Sequence, residues 1–206
     1  MKDVPSRIRL VLATRNRHKV EELSAMLSDL PVEILSFEDL PAMPDVVEDG
    51  DTLEENAAKK AREVAATTGL PALADDTGLE VDALDGAPGV RSARYASGGH
   101  DWEANNRKLL RELEGVAEER RGAAFRCVVA LSTADGDVSF AEGVTRGTIV
   151  SAPVGEGGFG YDPLFRPEGM SRTYAQLSAD EKNSISHRGK AIKAARGLVT
   201  ALLGGE

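Results

Sequence analysis

The first thirty residues constrain the fold most, because a short β run passes directly into a helical period. The segment "IRLVLA", residues 8–13, is mostly apolar and has the length of a buried strand. After "TRN", apolar side chains recur at helical spacing, at Val20, Leu23, Leu27 and Leu30. A strand, a tight turn and a helix in this order predict a βα unit, which places the chain among α/β proteins.

Three later segments carry helix signals. Thr52 and Glu55 have the spacing of a capping box and Gly69 is a natural stop, so we expect a helix between them. Two more helices are expected, one over residues 101 to about 113 and one over roughly 186–203. Helical and extended segments therefore alternate along the chain.

The remaining ordered segments have the composition of strands. "VEILSF" (32–37) follows the first helix, and "PALADDTG" (71–78) predicts a short buried strand that ends in two carboxylates. The runs "AAFRCVVALST" (123–133) and "VSFAEGVTRGTIV" (138–150) flank Asp135 and Gly136, which form a hairpin signal. Because βα units and a hairpin occur together, the sequence predicts an α/β fold around a mixed sheet.

Composition limits the partners and the location of the protein. The 206 residues suffice for one well-filled domain, so we expect a single domain over residues 1–206. The 34 acidic and 25 basic residues give a net charge of -9, which opposes general affinity for nucleic acid or an anionic membrane. The N-terminal segment lacks the apolar core of a secretion signal, and no apolar run has the length of a membrane span, so we expect a cytoplasmic protein.

The one cysteine, Cys127, lies in an apolar run and is expected to be an inert core residue.

The glycine-rich stretch "GEGGFGYDPLF" (155–165) contains the spacing G-x-G-x-x-G, which is typical of dinucleotide-binding loops. That motif requires a helix after the glycines, but Pro163 pushes Asp162 out of helical space. The stretch therefore predicts a loop that carries Phe159, Tyr161 and Asp162 among glycines. Two rings and a carboxylate suit a ligand-binding wall better than a phosphate cradle.

Three residues of the turn "TRNRHK" lie between the first strand and the first helix: Thr14, Asn16 and Lys19. The N-terminal N–H groups and the positive end of the helix dipole favour an anion there, and Lys19 adds a full charge. The alternative is that Asn16 only caps the helix while Lys19 is solvated.

Lys60 lies on the apolar side of its predicted helix. At about 100° per residue it is close in phase to Leu53 and Val64. Asn56 leans the same way, whereas Lys59 points to solvent. A lysine on an inner face either extends to the edge of the protein or meets an anion in a cleft, and the sequence leaves both alternatives open.

Two adjacent carboxylates, Asp75 and Asp76, stand at the end of "PALA". If the strand continues through them, their side chains point to opposite faces and only one can face a given site. Carboxylates at the end of a buried strand suit Mg²⁺, which takes oxygen ligands and keeps waters for a phosphate substrate. The alternative is a solvated loop or a helix cap. Glu48, on the preceding acidic loop, is a candidate second carboxylate that alone carries no signal.

Near the C-terminus, "DEKNSISHRGKA" places Lys182, His187 and Arg188 where the last helix begins. Cationic or donor groups beside a helix N-terminus favour an anion or an oxygen-rich ligand. With three histidines in the chain, a histidine metal cluster is not expected, and a single histidine is more often structural.

Taken together, four segments resemble the inosine/xanthosine triphosphate pyrophosphatases, which remove deaminated purine nucleotides. They are "TRNRHK", "ADDTGLEVDALDGAPGVRSARY", "GGFGYDPLF" and "EKNSISHRGKA", in this order and separation, so the resemblance covers nearly the whole chain. It implies a long, twisted mixed sheet with flanking helices, two lobes around a central cleft, and a homodimer. The implied reaction is attack of water on the α-phosphorus of a purine nucleoside triphosphate, which gives the monophosphate and pyrophosphate.

The resemblance also implies roles for the matching residues. Those implied to hold the triphosphate are Thr14, Asn16, Lys19 and Lys60. Asp76 would be the catalytic carboxylate and a Mg²⁺ ligand, with Glu48 as the second metal ligand. Thr77 stands where family members often have serine and keeps the hydroxyl, so we expect it to contact the substrate. Arg15 replaces a glycine common in the first motif and adds a cation beside the phosphates.

For the base, the resemblance implies a pocket built from two segments. Its members are Phe159, Gly160, Tyr161, Asp162, Lys182, His187 and Arg188. The glycine lets the backbone approach a flat base, on which an aromatic ring stacks. A 6-oxo purine offers an acceptor where adenine offers an amino donor, so donors at His187 and Arg188 fit ITP, dITP and XTP.

Two other functions compete with this one. A related pyrophosphatase for modified pyrimidine nucleotides would share the metal chemistry and differ in the base pocket. A catalytically silent nucleotide-binding module would not need Glu48 and Asp76. Release of pyrophosphate from a panel of triphosphates separates all three.

Overall fold

The computed structural model describes residues 8–41, 43, 45–96 and 101–203, and these form seven strands and five α-helices. In chain order the elements are β1 (Ile8–Leu12), α1 (Arg17–Leu27), β2 (Val32–Leu35), α2 (Leu53–Thr68), β3 (Ala72–Val81), β4 (Pro88–Gly89), α3 (Trp102–Glu112), β5 (Gly122–Ser132), β6 (Val138–Ile149), β7 (Phe165–Pro167), α4 (Ala179–Ile185) and α5 (His187–Leu203). None of the helices formed by these residues is long and apolar enough to cross a lipid bilayer.

The strands form one mixed sheet in the order β2-β1-β3-β5-β6-β7, with β4 paired to β3. β1 is parallel to both β2 and β3, as expected where helices connect successive strands. β4 pairs antiparallel with β3, and β7 pairs antiparallel with β6. The predicted α/β fold with a mixed sheet and flanking helices is therefore confirmed.

The predicted caps and turns are present. Thr52 caps α2 in a capping box with Glu55, and Gly69 ends the helix with a left-handed φ of 66°. The connection between β5 and β6 passes through Asp135 and Gly136, whose φ of 93° suits glycine alone. These local signals are sufficient to place the ends of α2 and the β5–β6 hairpin.

Two predicted elements differ from the structure. The sequence predicts a strand that ends at the two aspartates, but β3 continues through them to Val81. Gly78 makes this continuation possible, because a Cβ at that position would lie only 2.8 Å from the carbonyl oxygen of Gly89 in β4. The first helical period includes Leu30, but α1 ends at Leu27.

The described residues divide into two compact units. Unit 1 comprises the described parts of Met1–Asp76, Val128–Glu142 and Ala191–Glu206. Unit 2 comprises the described parts of Thr77–Cys127 and Gly143–Lys190. The strands β3, β5 and β6 contribute residues to both units.

Each unit buries its own apolar side chains. In unit 1 they come from the strands and from one face each of α1, α2 and α5, and include Leu10, Leu12, Leu23, Leu27, Leu53, Ala57, Val64, Leu73, Val129, Ile192, Ala195 and Val199. In unit 2 one core cluster includes Leu79, Val81, Leu109, Leu113, Phe125, Ile149, Tyr161, Leu164, Phe165 and Tyr174. Cys127, in β5, is fully buried, as expected for a core thiol.

Candidate active site

The N-terminus of α1 is capped by Asn16. Its side chain accepts hydrogen bonds from the backbone N–H groups of His18 at 3.0 Å and Lys19 at 3.3 Å. Thr14 Oγ1 accepts a hydrogen bond from the Asn16 N–H at 3.2 Å. Asn16 is therefore a helix cap, and two of the N–H groups that could meet an anion are already bonded to it.

Lys19 faces β3 and is not solvated. Its Nζ lies 3.0 Å from Asp75 Oδ2 and also donates to the Asp75 carbonyl oxygen at 3.4 Å. Only 14% of the Lys19 side chain is exposed. The alternative in which this lysine extends into water is therefore wrong.

Lys60 has three oxygen partners. Its Nζ donates to the Asp75 carbonyl oxygen at 2.8 Å. It also donates to Glu48 Oε1 at 3.1 Å and to Asp76 Oδ1 at 3.4 Å. The residue is 8% exposed and lies on the buried face of α2, so the predicted helical phase is confirmed. Lys60 therefore does not extend to the edge of the protein, and its ammonium group contacts carboxylates instead.

The neighbours of Lys60 on α2 separate as the helical phase predicts. Asn56, one turn earlier, is fully buried, and its Nδ2 donates to Asp76 Oδ2 at 3.2 Å. Lys59 instead pairs at 2.6 Å with Asp49, whose side chain is 66% exposed. The sequence predicts no role for Asn56, and its helical phase is the only signal that could have found this contact.

The two aspartates have different partners, as strand alternation predicts. The Asp75 carboxylate pairs with Lys19, whereas the Asp76 carboxylate is bonded by Asn56 and Lys60. Asp75 is 1% exposed and Asp76 is 7% exposed, so the alternative of a solvated loop or a helix cap is wrong. We call this group in unit 1 the lysine–carboxylate cluster: Lys19, Glu48, Asn56, Lys60, Asp75 and Asp76.

Burial and neighbouring charges together shift the pKa values of two groups in this cluster. Burial alone would lower the pKa of Lys60, but the negative charges of Asp76 and Glu48 outweigh burial and the pKa is raised. Burial raises the pKa of the Asp76 carboxyl, although the charge of Lys60 acts against it. A buried carboxyl group with a raised pKa accepts a proton more readily than an exposed one, which is a property of general bases.

Two carboxylates of the cluster, Glu48 and Asp76, share one cation. Because the Lys60 ammonium lies 3.1 and 3.4 Å from their oxygens, a positive charge between them is stabilised. Among the described residues, no group of three or more Asp, Glu, His and Cys side chains is placed to hold a metal ion. Mg²⁺ is commonly held by one or two carboxylates together with waters and phosphate oxygens. The pair therefore fits a Mg²⁺ ion that shares its ligands with a bound phosphate.

In unit 2, two cations lie over one aromatic ring. Lys182 Nζ is 4.7 Å from the centre of the Phe159 ring, and the Arg188 guanidinium is 5.5 Å from it. Lys182 Nζ is also 5.9 Å from the ring of Tyr174. Distances of this size are those of cation–π interactions. We call this group the aromatic–cation cluster: Phe159, Asp162, Tyr174, Lys182, His187 and Arg188.

Asp162 folds the glycine-rich stretch around a buried ion pair. Its Oδ2 accepts hydrogen bonds from Lys182 Nζ at 2.7 Å and from the Phe159 N–H at 2.8 Å. Gly158 has a φ of 70°, and a Cβ there would overlap the Asp162 carboxylate. Residues 155–164 contain no helix, so the interpretation of this stretch as a side-chain-bearing loop is confirmed.

His187 and Arg188 are the first two residues of α5, and both are buried. The His187 ring stacks on Phe125, with ring centres 4.5 Å apart and planes 12° apart. Arg188 Nη2 donates to Thr77 Oγ1 at 3.3 Å, so the Thr77 hydroxyl lies beside the cluster. His187 thus has a packing role inside unit 2, the role that is usual for a single histidine.

Tyr161 and Gly160 have different surroundings although they are consecutive. Tyr161 is 1% exposed, and its hydroxyl donates to the carbonyl oxygen of Ser92 at 2.9 Å. Gly160 is half-buried and has a φ of 69°. The ring of Tyr161 is therefore buried in unit 2 and its hydroxyl is hydrogen-bonded there, whereas the backbone of Gly160 is partly accessible to solvent.

Comparisons with known proteins agree with one another. Residues 10–197 match the family model described as the Ham1 family. The chain is 55% identical over 184 residues to the dITP/XTP pyrophosphatase of Geobacter sulfurreducens, covering 89% of this chain and 92% of the relative. It is 52% identical over 198 residues to the protein of the same name from Streptomyces coelicolor, covering 95% and 99%. A solved structure of a HAM1 protein from Coxiella burnetii matches with a TM-score of 0.85 at 41% identity, covering 94% of this chain and 99% of that one.

Proposed function

This chain belongs to the Ham1 family, and we propose that it hydrolyses ITP, dITP and XTP to the nucleoside monophosphate and pyrophosphate. It is a hydrolase of nucleotide metabolism that acts on the anhydride bond of a triphosphate. The observation that carries the proposal is the lysine–carboxylate cluster. Its buried Lys60 and half-buried Lys19 supply positive charge for phosphate oxygens, and its carboxylates supply a group that can accept a proton from water.

We assign the triphosphate to the residues of unit 1. Lys19 and Lys60 supply positive charge, and Thr14 and Asn16 lie at the N-terminus of α1 beside Lys19. Among the residues that the structure describes, Lys19 contacts two oxygens, both of Asp75, and an ammonium has three protons to donate, so one N–H is proposed to bind a phosphate oxygen. The cap formed by Asn16 fixes the first turn of α1 and hence the position of Lys19.

Asp76 is the proposed general base. It takes a proton from water while the water oxygen forms a bond to the α-phosphorus, and the bond from that phosphorus to the bridging oxygen breaks as pyrophosphate leaves. The burial that raises the pKa of Asp76 favours proton uptake by this carboxylate. Asn56 holds the other carboxylate oxygen and keeps the group in one orientation.

Glu48 and Asp76 are the residues proposed to hold Mg²⁺. When bound, the ion offsets negative charge on the phosphate oxygens and on the departing pyrophosphate. The support is that the same two carboxylates already share the charge of Lys60. Oxygen donors alone, without histidine or cysteine, suit magnesium better than zinc.

The base is assigned to unit 2. Phe159 offers a half-buried ring for stacking, and Lys182 and Arg188 are donors next to that ring. We propose that these donors, with His187, recognise the oxygen at position 6 of the purine. The remaining proposed contacts are Thr77, Gly160, Tyr161 and Asp162.

Three broader properties belong to the same proposal. The whole chain works as one pyrophosphatase domain, it acts in the cytoplasm, and it forms a homodimer. For the dimer, the support from the structure is that Phe140, a large apolar residue of β6, is 48% exposed and offers apolar surface to a second copy. Light scattering on the purified protein is expected to give twice the mass of the 206-residue chain, and a monomer mass would contradict the dimer.

Pyrophosphate release tests the activity. The parental enzyme, with Mg²⁺, is expected to hydrolyse ITP, dITP and XTP with kcat/KM at least about a hundredfold above that for ATP and GTP, which requires ~2.7 kcal/mol of discrimination. Chelation of the metal is expected to stop turnover. Comparable kcat/KM for ITP and ATP would contradict the proposal. A preference for a modified pyrimidine triphosphate would favour the related pyrophosphatase, and binding without hydrolysis would favour a silent module.

A further inference from the structure

Helix α3 contacts the Phe159–Asp162 turn through two side chains one helical turn apart. Asn106 Nδ2 donates to the carbonyl oxygen of Gly160 at 3.0 Å, although the two residues are 54 positions apart in the chain. The ring of Trp102 meets the ring of Tyr161 edge-on, with centres 5.8 Å apart and planes at 78°. Both contacts lie within unit 2 and hold the middle of the turn.

The Asn106 contact requires a hydrogen-bond donor on the side chain. A carbonyl oxygen can only accept, so the Asn106 nitrogen must face Gly160 and its oxygen must face away. That oxygen is buried and has no hydrogen-bond partner among the residues the structure describes. A buried acceptor without a partner is normally unfavourable. Here the unpaired Asn106 oxygen accompanies a hydrogen bond that fixes the position of the Gly160 carbonyl.

The same helix fixes a second support of the turn. Asn105, fully buried, donates from Nδ2 to the carbonyl oxygens of Ser92 and Ala93 at 3.4 and 3.1 Å. Its Oδ1 accepts from the Ala96 N–H at 2.7 Å. The Ser92 carbonyl is also the acceptor of the Tyr161 hydroxyl. Two consecutive asparagines of α3 therefore hold the turn directly and through the segment to which Tyr161 is bonded.

We propose that Asn106 and Trp102 are positioning residues that set substrate selectivity by fixing the Phe159–Asp162 turn. This inference rests on the proposed function, because it assumes that the Phe159 ring stacks on the base. Asp162 accepts from the Phe159 N–H, and Asn106 donates to the carbonyl oxygen of Gly160, so the backbone is held at Phe159 and again at the residue that follows it. Loss of the Asn106 bond frees the ring and weakens base binding, while the lysine–carboxylate cluster in unit 1 is unchanged.

Steady-state kinetics of Asn106 variants test this. Asn106→Ala is expected to raise KM for ITP about tenfold, the factor for ~1.4 kcal/mol, which lies in the range for one lost hydrogen bond. Its kcat is expected to stay within about twofold, and its ITP:ATP preference is expected to fall. Asn106→Gln keeps the donor and is expected to restore part of the loss. Asn106→Asp places a carboxylate against a carbonyl oxygen and is expected to be the most impaired.

Trp102 supplies a readout that does not depend on turnover. It is the only tryptophan in the chain, so the emission of the protein reports on the neighbourhood of this turn. Titration of ITP in the presence of a chelator is expected to change the emission of the parent and to give a dissociation constant that is higher in Asn106→Ala. The matched control is Arg107→Ala, because Arg107 is 56% exposed and pairs on the solvent side of α3 with Glu103.

The outcomes separate the inference from the proposed function. A parent without preference for ITP refutes the proposed function before any variant is made. With an ITP-selective parent, the inference is overturned if Asn106→Ala and Arg107→Ala have the same KM, or if Asn106→Ala loses kcat at unchanged KM. It is also overturned if ITP binds without changing the emission of Trp102. The inference is supported if KM rises in Asn106→Ala and Asn106→Asp and rises less in Asn106→Gln.

Discussion

The two clusters each bury a lysine against a carboxylate, but the surroundings of the two ammonium groups differ. Lys60 has oxygens around it, one carbonyl and two carboxylates within 3.4 Å. Lys182 has a carboxylate at 2.7 Å and also lies over the rings of Phe159 and Tyr174. The interactions of Lys60 are therefore electrostatic, whereas those of Lys182 also depend on the positions of two aromatic rings. We therefore expect substitutions in unit 1 to change turnover and substitutions in unit 2 to change the choice of substrate.

The largest effect is expected from Asp76→Asn. The amide can neither accept a proton from water nor act as an anionic metal ligand, so kcat for ITP is expected to fall roughly a thousandfold, or about 4 kcal/mol. Because burial raises the pKa of Asp76, the fold disfavours its charge, and the melting temperature of the variant is expected to equal or exceed that of the parent. Steady-state hydrolysis across a magnesium titration, with melting curves, measures both.

Asp75→Asn is the matched control for the same strand. The Asp75 carboxylate pairs with Lys19, whereas Lys60 bonds the backbone carbonyl of Asp75, which the substitution keeps, so turnover at saturating magnesium is expected to be near parental. The weakened buried pair is expected to lower the melting temperature by about 3–6 °C, for ~1.5 kcal/mol. If Asp75→Asn is inactive and Asp76→Asn active, the faces of β3 have been assigned in reverse.

The next largest effect is expected from Lys60→Ala. It removes an ammonium that meets three oxygens, and kcat/KM for ITP is expected to fall about a hundredfold, or ~2.7 kcal/mol. Lys59→Ala, one residue away on the solvent side, is expected to behave like the parent because the ion pair of Lys59 is with the exposed Asp49. Equal losses of kcat/KM in the two variants would contradict the assignment of different roles to the buried and exposed faces of α2.

A smaller and different effect is expected in unit 2 from Arg188→Lys. The variant keeps the charge but loses the planar guanidinium that lies over Phe159 and bonds Thr77. KM for ITP is expected to rise about tenfold with kcat within about twofold, so the ITP:ATP ratio falls. Parallel measurement of KM and kcat for both nucleotides decides this. A large loss of kcat at unchanged KM would break the contrast between the two clusters.

The smallest effect is expected from Glu181→Gln, in the first turn of α4. Hydrogen bonds from Arg172 and Ser178 lower the pKa of Glu181 from 4.5 to about 2. A lowered pKa means that the charged form stabilises the fold above pH 4.5 and that this contribution disappears as the pH falls towards 2. The variant is expected to melt about 1 °C below the parent at pH 7, with KM unchanged, and the difference is expected to shrink in acid. A difference that is constant from pH 7 to pH 3 would contradict this origin.

Features that follow from a local period could be predicted from the sequence. The apolar positions of α2 fix its buried face, and Lys60 and Asn56 follow from that phase at about 100° per residue. The different partners of Asp75 and Asp76 follow from the two-residue period of a strand. In each case the backbone geometry of a few neighbouring residues determines the direction of a side chain.

Features that depend on distant segments could not be predicted. The sequence predicts that the strand ends at the two aspartates, before Thr77 and Gly78, and only the approach of Gly89 in β4 shows why a glycine stands inside β3. The seven-residue α4 has no apolar stripe, and its one signal is the capping-box spacing of Ser178 and Glu181. The bond from α3 to the Phe159–Asp162 turn spans 54 residues, and no local pattern indicates it.

Cys127 gives the protein an internal reporter of its own fluctuations. It is the only thiol in the chain and is fully buried in β5. A thiol reagent reaches a buried sulfur only when the surrounding structure opens, so the rate of alkylation in the native state measures how often β5 is exposed. The unmodified enzyme can therefore be followed by mass spectrometry, one modification per molecule, to time the opening of a central strand of its sheet.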